Sequence, residues 1–392
     1  MTQATASLRP DASAEQIAGK LNQLLRDKHE RPNGQEKAAP LPSVPIRREP
    51  GVYFGLPAAD YLADPSLGSS DLKRLAAAPI LYWHYSHMNP TRSPSPDSAA
   101  KLRGRALHAL VLQGEEGFKQ AFAVKPSHED YPGCLVTLED LKAKLRFLCE
   151  PTSGTKHALS KRIKIKLPDV VVFEDVLAIF KAVVERDKLE VITKDTAREV
   201  RKAAAAITSN PHLRRAFQGG IPELSVFWTE NGVPLKARFD YVKPAAIVDL
   251  KSFANQREHS VDTAIRMAIG VFRHDVQAAH YFDAYAALRS LVKDGRVFGS
   301  CKLRPDWHKR LADETVFIWV FHSVDAPITR ALQLSETSAA LNRARREVAM
   351  AKRAYAECLE RWGTSAWFDD EPPRELTEED MAPWLRESVE VC

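Results

Sequence analysis

The stretch IVDLKSFANQ, Ile247–Gln256, closes a short apolar run with an acid, one apolar residue and a lysine. Side chains on a strand alternate between its faces, so Asp249 and Lys251 point the same way, one step apart. Asp240 lies nine residues upstream on the preceding strand candidate, and a short turn between the two strands can set it beside Asp249. Two carboxylates at adjacent strand ends make a hard-oxygen site suited to Mg²⁺ or Mn²⁺. Such an ion polarises a phosphoryl oxygen and generates hydroxide from bound water. A lysine beside it can position or deprotonate that water and offset charge on pentacovalent phosphorus. The plainer account is an exposed ion pair, which contributes little. D-x-K alone does not decide between the two.

Other residue types could join that chemistry. His108, in GRALHALVL, sits in a mostly apolar helix pattern, where it is either a core histidine with a satisfied ring or a metal ligand. Gln277 and Tyr281, in DVQAAHYFDAY, are four apart and share one helix face. Tyr281 also suits a core position, with Phe282 and Tyr285 extending the same apolar surface. Glu223 opens a strand in PELSVFW, where it could bind a second metal, orient water or remain a plain surface glutamate.

These residues need elements to hold them. SSDLKRLAAAPILYWHYSH predicts a helix from Ser69 or Ser70, with Pro79 ending it or starting another turn. Lys101–Gly114 predicts a second helix, closed by Gly114. Thr137–Ile163 reads as helix, turn, helix, and KRIKIKL after it as a strand with Arg162, Lys164 and Lys166 on one basic face. Val170–Ala216 is mostly helical by pattern. At Glu223 the period becomes two, and Glu223–Ser252 contains three strands, with Asn231-Gly232 as a hairpin turn. In the middle strand Leu235, Ala237, Phe239 and Tyr241 share one face, and Lys236, Arg238 and Asp240 the other. Helices over Phe272–Gly295 and Ser335–Trp362 bracket a buried strand at Glu314–Val324. This order is α/β with a mixed central sheet flanked by helices.

The motifs YLADPSLGSSDLKRLAAAPILYWHY, RGRALHALVLQ, PELSVFWTENGVPLKARFDYV, IVDLKS and DVQAAHYFDAY, in this order and spacing, resemble the PD-(D/E)xK nuclease superfamily. Within it the resemblance is to the phage and prophage exodeoxyribonuclease VIII (RecE-type) group, and it runs from about Tyr61 to about Trp384. It implies a restriction-endonuclease-like core over residues 51–392. It also implies Asp240, Asp249 and His108 as metal ligands, Lys251 as the catalytic lysine, and Gln277 and Tyr281 in the active-site wall, with an acid at the place of Glu223 facing the site from its edge. The activity implied is Mg²⁺- or Mn²⁺-dependent degradation of linear duplex DNA from 5′ ends, by a ring-like homo-oligomer that passes a 3′ strand to a single-strand annealing protein. A competing reading is a non-catalytic DNA-binding or assembly protein on the same fold. The cluster-bearing nucleases of the superfamily need four well-placed cysteines, whereas the five cysteines here are scattered and form no C-x-x-C.

LEDLKAKLRFLCEPTSGTKHALSKRI resembles a SAP motif, inserted at about residues 135–168, although its loop lacks the expected first glycine. Lys142, Lys156, Arg162, Lys164 and Lys166 would then meet phosphates without reading bases. An ordinary helical insertion with a solvated charged face is the alternative. A net charge of +5 is compatible with a nucleic-acid partner. Residues 1–50 are rich in charge and proline, predicting a loosely ordered arm with a short helix near Ala14–Asp27. No apolar run suits a membrane span or signal peptide, so the expected location is the cytoplasm.

Overall fold

The change of period near Glu223 does mark the start of the central sheet. The computed structural model describes residues 47–93, 97–255, 257–299, 307–369 and 372–381, all within one unit, Pro45–Cys392. Most of the predicted arm, and the helix predicted near Ala14–Asp27, lie outside the described residues, as do Cys301 and Cys392.

The chain begins with β1 (Gly51–Tyr53), α1 (Ala58–Ala63), α2 (Ser69–Ala77), α3 (Pro79–Tyr85), α4 (Ala99–Ala121) and β2 (Phe122–Val124). Next come α5 (Leu138–Phe147), α6 (Lys156–Lys166), α7 (Phe173–Asp187), β3 (Glu190–Ile192) and α8 (Lys194–Ser209). β4 (Ile221–Glu230), β5 (Val233–Lys243) and β6 (Ala246–Phe253) follow. Then α9 (Val261–Phe272), α10 (His274–Lys293), β7 (Val297–Phe298), β8 (Val316–Ser323), β9 (Thr329–Ser335) and α11 (Asn342–Trp362) complete the chain's described elements.

Seven strands form one mixed sheet in the order β7-β1-β4-β5-β6-β8-β9. β4, β5 and β6 are antiparallel neighbours, whereas β6 and β8 run parallel. Asn231 and Gly232 turn the β4–β5 hairpin with φ of 49° and 80°, a conformation both residues accept at little steric cost. On one face, strand residues pack with α2, α9, α10 and α11. On the other they pack with α4 and α8. The architecture is thus three-layered, with helices on both sides of the sheet.

Three local predictions are corrected. KRIKIKL is not a strand: Arg162, Lys164 and Lys166 lie on α6. Thr155 caps that helix by accepting from the Ala158 N–H at 3.3 Å. Leu159 and Ile163, one turn apart, then bury against Leu141 and Leu145 of α5 in a small core of their own. This helical pairing outweighs the period-two alternation, so no basic strand face exists. Gly114, at φ 75°, interrupts α4 but does not end it. The alternation along β5 also changes hand. Phe239 and Val242 enter the first core, while Tyr241 enters the second with Val248 and Leu250. Opposite this point Glu223 has φ 54°, and the β4–β5 register skips the Glu223–Asp240 pair. A non-glycine residue in that region is strained, and here it moves two strands' side chains to the other face.

Among the described residues no helix is long and apolar enough to cross a membrane. The core under the hairpin contains His280, fully buried against the Trp228 ring, with Nε2 donating to the Lys236 carbonyl at 2.9 Å. Burial lowers its pKa from 6.5 to about 4. Between these values the unfolded chain holds a proton that the folded one does not, so stability rises with pH across that window. Acidification from pH 6.5 to 4 should therefore cost on the order of 3 kcal/mol through this residue. Urea midpoints measured across the window should fall with pH, and His280→Phe should flatten that slope even though it lowers stability at every pH.

Candidate active site

The ladder between β5 and β6 pairs Lys243, Val242 and Tyr241 with Ala246, Ile247 and Val248, then stops. Beyond it, the Leu250 peptide groups face a gap rather than a strand. Buried backbone groups must be satisfied, and two side chains do this. The Asp240 carboxylate accepts from the Leu250 N–H at 2.9 Å. His108, arriving on α4, places Nε2 2.9 Å from the Leu250 carbonyl. A carbonyl can only accept, so Nε2 carries the hydrogen. In the neutral ring Nδ1 then presents a lone pair, and it stands 3.6 Å from the Asp240 carboxylate. Two acceptors that face each other across this distance are suited to a cation between them. A ring whose other N–H is held by a backbone carbonyl is also the usual arrangement of a metal-binding histidine.

Asp249 and Lys251 flank Leu250 and share the opposite face of β6, as predicted. Asp249 is completely buried. Its Oδ1 accepts from Gln277 Nε2 at 3.0 Å. Its Oδ2 lies 2.5 Å from the Lys251 ammonium. Burial pushes the Asp249 pKa up, and the Lys251 charge opposes this. Burial works against the Lys251 ammonium as well, yet the Asp249 and Asp240 charges outweigh it and raise its pKa. Lys251 is therefore a cation at neutral pH.

The three proposed ligands fit a hard divalent ion in donor type, two carboxylates and an imidazole. Even so, among the described residues no group of three or more His, Cys, Asp or Glu side chains is drawn together closely enough to hold a metal. His108 pairs with Asp240, while Asp249 pairs with Lys251.

The other expected residues divide. Gln277 joins the cluster, touching Asp249 rather than the lysine. Tyr281 is buried, and its hydroxyl donates to the Arg238 carbonyl at 2.7 Å. Its role is to hold β5. Glu223 is bound by Arg238, whose guanidinium also donates to the Leu56 carbonyl at 2.8 Å. In the helical insertion Lys142, Lys156, Lys164 and Lys166 pair with Glu139, Glu174, Asp175 and Glu150. Arg162 caps the carbonyls of Pro151 and Ser153. That surface is locally neutralised.

Two residues were missed. His274 lies three before Gln277, on the helix stripe that continues to Tyr281, so its position was visible in the spacing. It is buried, its Nδ1 has no partner, and burial, then the Lys251 charge, lower its pKa to about 4. Lys73 comes from α2, and its Nζ donates to the Phe272 carbonyl at 2.8 Å. Burial and the Lys251 charge lower its pKa to about 8. No local signal in SSDLKRL marked it.

A cavity of about 590 Å³ opens beside Gln277 and Tyr281, lined also by Lys73, Arg74, Arg92 and Arg238. No protein-family model matches the chain, and no curated protein matches it.

Tyr281→Phe removes one donor and leaves the buried Arg238 carbonyl without its partner. Unfolding free energy from urea titration should drop by about 1–2 kcal/mol, with circular dichroism unchanged.

Proposed function

We propose that the protein is a Mg²⁺- or Mn²⁺-dependent deoxyribonuclease of the PD-(D/E)xK superfamily, an exonuclease on linear duplex DNA. The observation that carries this reading is the contact between His108 Nδ1 and Asp240, both held in place by the backbone of Leu250, the residue that joins Asp249 to Lys251. The hairpin β4–β5, antiparallel β6 and parallel β8 support the finer fold assignment, because they deliver an acid and the D-x-K motif to neighbouring strands.

His108, Asp240 and Asp249 would hold the ion, which when bound polarises a phosphoryl oxygen and lowers the pKa of a bound water. The remaining work belongs to the chain. Lys251, being cationic, offsets the charge that builds on phosphorus and does not take a proton from the water. Gln277 fixes the orientation of Asp249 through the 3.0 Å bond. Lys73 and Arg92 line the adjoining cavity and suit a phosphate backbone, whereas Arg74 there pairs with Asp71 at 3.0 Å. On this reading digestion starts at 5′ ends, the protein works as a homo-oligomer, and its product is a 3′ strand for a single-strand annealing partner.

The second reading, a DNA-binding or assembly protein without catalysis, draws on one observation: Asp249 and Lys251 close on each other, and no three-ligand group is assembled. End-labelled linear duplex incubated with and without Mn²⁺ separates the two. The nuclease reading expects metal-dependent release of nucleotides. Asp249→Asn and Lys251→Gln should each lower the rate by about 100-fold or more. These changes keep more of the buried side-chain volume than alanine does, so a lost rate is easier to separate from lost folding. His108→Ala should weaken metal affinity by about 10- to 100-fold. DNA retention without cleavage under any metal would favour the second reading. Comparing 5′- and 3′-labelled duplex with closed circles tests polarity and the requirement for an end.

A further inference from the structure

Past Lys251 the end of β6 runs into a second groove, of about 470 Å³, between α4 and α9. It lies at the carboxyl ends of the parallel pair β6 and β8, where open α/β sheets bind ligands. Its composition is unusual in two respects. First, α9 turns apolar side chains outward: Met267, Val271 and Phe272 are 45%, 72% and 58% exposed. Second, Arg103, Arg257 and His259 line the groove, and no Asp or Glu does. Arg103 has Glu199 at 3.7 Å, whereas Arg257 makes no ion pair among the described residues.

An occupant must bring negative charge and flat apolar faces together. Duplex DNA supplies the charge but stacks its base faces away. A single strand offers both at once. We infer that this groove holds single-stranded DNA beside Lys251, with Phe272 and Val271 against base faces and Arg103 and Arg257 against phosphates. The inference rests on the nuclease reading for its choice of polymer. It goes beyond that reading by saying which strand form is held, and where.

The test is fluorescence anisotropy with labelled oligo(dT) of about 20 nucleotides and with a blunt duplex, both in EDTA so that nothing is cut. Phe272→Ala and Arg257→Ala should each weaken oligo(dT) binding about tenfold and leave duplex affinity unchanged. Arg257→Ala should also lower the salt slope of log K for the single strand by about 0.7. Phe272 gives Lys73 only its backbone carbonyl, so that bond survives the substitution. Val271→Glu puts negative charge into the groove on a side chain that is already 72% exposed, and it should cut oligo(dT) binding while the melting temperature holds. Oligo(dT) binding unchanged in folded Val271→Glu, or equal weakening of both DNAs in the variants, would overturn the inference. Displacement of oligo(dT) by polyglutamate as readily as by unlabelled oligo(dT) would assign the groove to an acidic peptide and overturn it too. If the wild type cuts no DNA while the oligo(dT) results hold, the nuclease reading fails and the strand groove stands.

Discussion

The candidate site is organised around one residue, Leu250, whose backbone N–H and C=O the sheet leaves unpaired. Where β5 and β6 part, the Leu250 N–H and C=O would each be buried without a partner, at a cost of about 1–3 kcal/mol apiece. Asp240 and His108 remove that cost, and in doing so they are placed. Beside the parting, across β5, Glu223 has φ of 54° and pairs with Arg238, which also donates to the Leu56 carbonyl. Leu250 itself joins Asp249 to Lys251, so the two halves of the site share a backbone link.

Fold stability does not explain the charges on the other face of β6. A fully buried acid and its lysine pay desolvation that their attraction only partly offsets, and an apolar pair of similar volume is often as stable or more so. Gln277 donates to one oxygen of Asp249, and the Lys251 ammonium lies against the other. His274 adds a buried nitrogen, Nδ1, that has no partner. Polar groups concentrated in a core without complete satisfaction are typical of sites that act on something else.

Much of this was legible from local pattern. The Asn231-Gly232 hairpin follows from which residues tolerate positive φ, and the common face of Asp249 and Lys251 from the strand period. Gln277 follows from helix spacing, and the same spacing would have found His274. What failed were features decided at long range. Tyr241 changes face because of a residue on a neighbouring strand. The contact between His108 and Leu250 spans 142 positions, so resemblance suggested its partner region but geometry alone gave the bond. KRIKIKL alternates like a strand, yet Leu159 and Ile163 had a helix to pack against. α9 and β9 were not anticipated, since their short apolar runs fit helix and strand patterns alike.

Positive charge is distributed in a way that the sequence could not reveal. The six lysines of α5 and α6 look like a phosphate-binding face when read along the chain, but helical placement brings an acid to four of them, Lys142, Lys156, Lys164 and Lys166. Exposed pairs of this kind retain little field beyond a Debye length. The guanidinium of Arg257, in contrast, sits beside the end of β6 in a groove without acidic lining. Under the proposed reading the electrostatic case for nucleic acid draws on cations near the site, which counting basic residues along the chain does not single out.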